Sequence, residues 1–153
     1  MRALENKIPP PIVTGLFGLL MWLAARYTPG LDLALSVRVL VALLVLVIGV
    51  CFSVAGVLSF RQAQTTVNPL KPETASALVR SGIYQYSRNP MYVGFALSLL
   101  AWACYLVSPL ALLGVLGFVL YMNRFQISPE ERALTTLFGS EFQAYQAQVR
   151  RWL

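Results

Sequence analysis

The chain has 153 residues, 58% of them apolar and 12% charged, and a net charge of +6. So few charges do not suit a soluble globule of this size; they suit a single helical domain in a membrane, where each span satisfies its own backbone groups. Histidine is absent, which excludes a histidine base, a Ser–His or Cys–His pair, and most zinc or haem sites.

From Ile8 to Ala25 no residue is charged, and Pro9, Pro10 and Pro11 open the run. Proline costs least in a first helical turn, where its missing amide would be unpaired anyway. A signal peptide is the rival reading, but Glu5 and the three prolines favour a retained first span at about 10–27. The second run, Val39 to Phe60, has 22 uncharged residues, enough to cross a ~30 Å core at about 1.5 Å per residue. It predicts a span at about 37–60. Ala42, Gly49 and Gly56 recur every seven residues there, a helix-packing stripe within or between molecules. Cys51 and Cys104 both lie inside apolar runs, where a thiol packs as a small hydrophobe.

Residues 61–89 read as a loop, proline-punctuated from Thr65 to Thr74, with a short helix expected from Ala75 to Arg80. From Asn89 to Asn123 follow 35 uncharged residues, too many for one span. A break at Ser108-Pro109 divides them into a helical hairpin, about 90–107 and 109–126. Ser128, Pro129 and Glu131 carry the signature of a capping box opening a C-terminal helix at 129–150. That helix is amphipathic through Leu134, Leu137, Phe138, Phe142, Tyr145, Val149 and Trp152, and Gly139 interrupts it.

The expected fold is therefore all-α: a polytopic membrane protein with about four transmembrane helices and a C-terminal amphipathic helix on the cytoplasmic face. Four spans put both termini on one side, with ten of the twelve basic residues; Arg26 and Arg38 are on the other. The positive-inside rule makes the richer side cytoplasmic. The basic residues form no aromatic-interleaved patch, so nucleic acid is not an expected partner.

Two polar clusters fall on the cytoplasmic side, Ser81 to Gly94 and Ser128 to Arg132. A helix start at Pro90 attracts anions, and Arg88 beside it offers a fork for a carboxylate or phosphate. The competing reading makes Arg88 and the tyrosines interfacial anchors and Glu130 and Glu131 partners of the helix dipole. On that reading the chain is a non-enzymatic four-helix assembly or regulatory protein.

Five motifs stand in order: Gly82-Ile83-Tyr84, Arg88-Asn89-Pro90-Met91-Tyr92-Val93-Gly94, Glu130-Glu131-Arg132-Ala133-Leu134, Phe138-Gly139, and Phe142 with Tyr145. Together with Val149-Arg150-Arg151-Trp152 they resemble the isoprenylcysteine carboxyl methyltransferase and phospholipid methyltransferase superfamily, over roughly residues 65 to 153. Asn89 stands where isoprenylcysteine enzymes commonly have histidine, and Phe142 where tyrosine is frequent; the asparagine form looks more like bacterial and phospholipid-type members.

The resemblance implies S-adenosylmethionine as cofactor, S-adenosylhomocysteine as product, and membrane lipids or a lipidated molecule as methyl acceptor. It implies cofactor contacts from Gly82, Tyr84, Arg88, Asn89, Pro90, Tyr92, Glu130, Glu131, Leu134 and Phe138, with Arg88 and Glu131 in catalysis. On chemistry, the cofactor carboxylate suits Arg88 and the helix start at Pro90. Its ribose hydroxyls and ammonium suit Glu130 or Glu131, and its adenine suits walls from Tyr84, Tyr92, Leu134 and Phe138. Methyl transfer from a sulfonium needs alignment and desolvation more than acid–base groups. A carboxylate acceptor, as in isoprenylcysteine methylation, is already nucleophilic. An amine acceptor, as in phospholipid N-methylation, needs a base, for which Glu131 or a water is available.

Overall fold

The computed structural model describes residues 5–64 and 76–153. Five helices follow in order: α1, Pro10–Arg26; α2, Leu35–Gln62; α3, Pro90–Leu106; α4, Ala111–Met122; and α5, Ser128–Gln148. A 3₁₀ turn, Gly82–Gln85, precedes α3, and a π-helical turn, Asn123–Ile127, joins α4 to α5. Among the described residues there is no strand. α2 and the run Ala111–Gln148 are long and apolar enough to cross a membrane, while α1 and α3 have 17 residues each.

The helices begin where prolines allow. Pro10 and Pro90 open α1 and α3, where the missing amide costs nothing. α3 ends at Val107, in the left-handed region (φ 55°), whose N–H still reaches the Ala103 carbonyl. The chain turns through Ser108 and Pro109 and re-enters helix at Ala111.

α2 packs chiefly on α3, and α4 on α1 and α3. The small-residue stripe explains the first contact. A Cβ on Gly49 would lie 2.9 Å from the Gly94 carbonyl oxygen, and one on Gly94 would lie 2.5 Å from that of Gly49. The two backbones touch where each lacks a side chain, as membrane helices do when small residues face one another. The stripe thus serves packing within the molecule. The interior is built from Val13, Met21, Leu99, Phe118, Met122 and Ile127. Large apolar side chains remain exposed along α1, α2 and α4, including Leu16, Leu20, Leu44, Val47, Leu113 and Leu120. Such a continuous apolar exterior is what lipid, not water, solvates. Both cysteines are free, and Cys51 lies exposed on this flank of α2 instead of packing inside.

The structure corrects three expectations. Residues 76–80 are not helical, and Ala75 and the stretch Thr65 to Thr74 lie outside the described residues. Ser128 is no N-cap. Its backbone is helical (φ −62°, ψ −42°) and its hydroxyl donates to the Asn123 carbonyl at 2.7 Å, because the π turn carries α4 directly into α5. The capping box is therefore not formed, and Glu131 is free to turn elsewhere. Finally, Val149 is extended and ends α5, so Trp152 follows the helix instead of lying on its face. Gly139 does kink α5, with φ 50° and ψ −123°.

Candidate active site

At the end of the bundle where α3 begins, three segments converge. Ser87 is fully buried and its Oγ accepts the Asn89 amide at 3.1 Å. That bond shapes the entry to α3 and leaves the Asn89 side chain free of any capping duty. Asn89 Nδ2 instead donates to the Arg151 carbonyl at 2.9 Å, and the Arg88 amide donates to the Arg150 carbonyl at 2.9 Å. The extended C-terminal segment is thus laid against the start of α3.

The Arg88 guanidinium fastens this arrangement. Nη1 donates to the carbonyls of Gln146, at 3.1 Å, and Val149, and Nη2 to Glu131 Oε1 at 2.9 Å. Arg88 and Glu131 side chains are each only 13% exposed. Arg151 approaches Glu131 from the other side, with Nε at 3.2 Å from Oε1 and Nη2 on Oε2. Asn123 Oδ1, in the π turn, accepts from Trp152 Nε1 at 3.1 Å and Arg151 Nη1 at 3.5 Å. Glu131 therefore sits between two arginines, the geometry in which a part-buried charge is compensated. Arg88 Nε is buried and, among the described residues, has no partner. The fork expected to face an anion has its terminal nitrogens committed inside the protein.

A second group lies beside the first. Tyr92 Oη donates to Glu130 Oε2 at 3.1 Å. Glu130 retains some surface as a residue, but its carboxyl is enclosed. Burial pushes that carboxyl up to about 7, the Tyr92 hydrogen bond pulls it partly back, and the Glu131 charge adds to the rise. Tyr84, buried in the 3₁₀ turn, stacks edge-on against Phe60 with centroids 5.3 Å apart. Its carbonyl accepts the Tyr145 hydroxyl at 2.7 Å. Burial, then the charge of Glu130, raises the Tyr84 phenol well above its ordinary value, so it stays protonated. Gly82 opens this turn at φ +62°, and a Cβ there would lie 2.8 Å from Ser59 Oγ on α2; only glycine fits both constraints.

Of the residues singled out in the sequence, Arg88, Asn89 and Glu131 thus meet in one network, and Tyr84, Tyr92 and Glu130 in its neighbour. Pro90 is buried at the first position of α3. Leu134 and Phe138 are half-buried on the next turns of α5, spaced four and eight residues from Glu130 on the same helical face. Sequence reasoning gave Ser87, Asn123, Arg151 and Trp152 no part in the site. The Arg150-Arg151-Trp152 ending was the one visible signal for two of them. A cleft of about 550 Å³ opens alongside, lined by Ser128, Glu131, Arg132, Thr135, Gln146 and Arg151 among others, within the size range of small-molecule sites. Among the described residues no cluster of His, Cys, Asp and Glu could hold a metal.

Apolar helices capped at one end by this polar network are the build of a membrane protein. The family model for phospholipid methyltransferases matches residues 37–141, and the chain belongs to that family, within the isoprenylcysteine and phospholipid methyltransferase superfamily. It is a family of methyltransferases acting on lipid-type substrates. An uncharacterized protein of Haemophilus influenzae is 49% identical over 63 residues, which are 41% of this chain and all of that protein. No solved structure matches the chain.

Proposed function

We propose that the protein transfers a methyl group from S-adenosylmethionine to a lipid or lipidated acceptor at the cytoplasmic face of a membrane. The observation that carries this reading is the polar end of the bundle: two carboxylates and an orphaned arginine nitrogen are grouped above apolar helices, and a cleft lined by Glu131 and Arg151 opens from the same end. Four spans, with the last two as a hairpin and both termini cytoplasmic, are the topology we infer; the ten basic residues grouped on one side support it.

The residues present fit the cofactor. The unpartnered Arg88 Nε is a buried donor in want of an acceptor, as a carboxylate would supply. Glu130 and the cleft-lining Glu131 offer acceptors for hydroxyl and ammonium groups. Tyr84, Tyr92, Leu134 and Phe138 offer walls for a planar base. When bound, S-adenosylmethionine supplies an electrophilic methyl group on sulfur. The chain's part is to hold the reactants in line and to exclude water, the two effects on which such a displacement depends. Glu131 and Arg151 keep the C-terminal segment against α3, which fixes the wall of the cleft.

Titrating the detergent-purified protein with S-adenosylmethionine tests the reading, followed by radiolabelled methyl transfer into total membrane lipids. Saturable binding and a labelled lipid are expected. No binding at millimolar cofactor would sink it.

A further inference from the structure

Toward the end where α3 finishes, α1 and α3 leave a groove of about 330 Å³ between them. Thr14, Gly18 and Trp22 line it from α1, and Ser98, Leu99 and Trp102 from α3. Gly18 has no side chain to fill it: for a Cβ there, the nearest atom of another helix is Leu99 Cδ2, at 3.8 Å. Trp102 is fixed as a wall. Its Nε1 donates to the Gly18 carbonyl at 3.0 Å, and its ring stacks on Tyr105 with centroids 5.4 Å apart. The polar groups of the lining are committed elsewhere. The Thr14 hydroxyl donates to the Pro10 carbonyl and the Ser98 hydroxyl to the Gly94 carbonyl, each at 2.9 Å. A polar ligand would leave its own groups unpaired there, whereas a hydrocarbon chain would not. From Thr14 to Trp22 the helix rises about 12 Å, which fits within the ~15 Å that one leaflet gives to a ~30 Å core.

A cation stands at the mouth. Arg26 lies one turn beyond Trp22, with its guanidinium over the Trp22 ring, 5.0 Å from the centroid. Among the described residues it has no ion pair. Arg38, the other cation near this end, has Nε and Nη2 committed to the Tyr105 carbonyl. We propose that the groove seats one acyl chain of an anionic phospholipid whose phosphate is held by Arg26. The indole supports one face of the guanidinium, and its N–H edge is left to fork onto two phosphate oxygens. A second copy of the chain would match this mouth poorly, because Asp32 is the sole acid between α1 and α2. Leu106 lies about 24 Å along α3 from Pro90, so the site is separate from the candidate active site and its lipid is not the methyl acceptor. The proposal rests on the spans inferred above and not on the methyl-transfer reading.

The test places the full chain in phosphatidylcholine vesicles with a rising fraction of phosphatidylglycerol that carries brominated acyl chains. Bromine quenches tryptophan fluorescence on contact, and two of the three tryptophans, Trp22 and Trp102, line the groove. Quenching by brominated phosphatidylglycerol should saturate at a low fraction, while brominated phosphatidylcholine should quench in proportion to its amount. Arg26→Gln should need roughly fivefold more phosphatidylglycerol to saturate. Gly18→Leu fills the groove and should abolish the saturable part. Gly15→Leu, whose side chain enters open space outside the lining, should keep it. Proportional quenching by both lipids, the mark of an interfacial belt only, overturns the proposal. Saturation that Arg26→Gln and Gly18→Leu both leave unchanged overturns it as well. Quenching that disappears as protein is concentrated in the vesicles, together with cross-linked dimers, seats a second copy in the groove and overturns the lipid. No quenching by either lipid overturns the spans themselves.

Discussion

The two ends of the helix bundle solve the same problem with different means. At the end where α3 finishes, polar groups are few, and several meet a neighbour's backbone or hydroxyl. Thr28 and Ser108 hydroxyls pair at 2.9 Å, the Leu31 amide reaches the Val107 carbonyl at 2.9 Å, and Arg38 Nε reaches the Tyr105 carbonyl at 2.8 Å. Arg38 also lies over the Tyr105 ring. These bonds do no more than helix ends require. At the end where α3 begins, Arg88, Glu131, Arg151, Asn123 and Trp152 form a network, and Glu5 adds ion pairs to Arg124, at 3.3 Å, and Arg132. This surplus of polar groups over helix-end needs is why we place the function at this end, and Glu130, without an ion-pair partner among the described residues, is a clear part of it.

The largest way to break this contrast is Arg88→Ala. It frees two C-terminal carbonyls and strips Glu131 of one partner in a setting only 13% exposed. Losing one member of such a pair costs about 3–5 kcal/mol. Thermal unfolding in detergent should show a marked drop, and cofactor binding should be lost with it. Gly94→Ala strikes the shared scaffold instead. The added methyl would press on the Gly49 backbone oxygen at 2.5 Å, and overpacking of this kind costs about 1–3 kcal/mol. A lowered melting temperature with cofactor binding retained in the folded protein is the expected signature, since Gly94 lies in the α2–α3 contact and outside the Arg88–Glu131 network.

Glu130 gives a prediction of intermediate size. Its carboxyl is raised above its ordinary value of 4.5 to about 7, so between those values the folded protein binds more protons than the unfolded one. Stability should then fall as pH rises from about 5 to 7, and this slope should flatten in Glu130→Gln. Melting temperatures measured across that range read it directly. The smallest effect belongs to the quiet end. Arg38→Gln removes an exposed contact to one carbonyl and should change stability by about 1 kcal/mol or less, with methyl transfer unaltered. If Arg38→Gln abolished transfer while Arg88→Ala spared it, the assignment of the two ends would be reversed.

The helices were legible because a charge-free run and its proline start are local signals. Pro10 and Pro90 open their helices as the sequence indicated, and the spacing of Gly49 marked a packing face but not its partner, α3. The site was legible in composition but not in pairing. Arg88 and Glu131 were named from their motifs, yet their bond spans 43 positions, and no local pattern encodes it. The capping box misled for a physical reason. Ser-Pro-Glu-Glu is a good helix start in isolation, but the buried Gln126 and Ile127 hold the preceding turn in place, so the helix had not ended. Arg151 was missed because its task depends on the segment after α5 folding back across α3.

The π turn between α4 and α5 acts as a phase shifter. Each residue of an α-helix advances about 100° around the axis, and a π turn holds one residue more than an α turn would. Every side chain after Ile127 is therefore rotated relative to the face that α4 presents to α1. Glu130, Leu134 and Phe138 owe their orientation to that offset. A one-residue deletion within Asn123–Ile127 would leave the helix intact and turn Glu130 and Glu131 away from Tyr92 and Arg88. The proposed site thus depends on an angle set in the turn that precedes its helix.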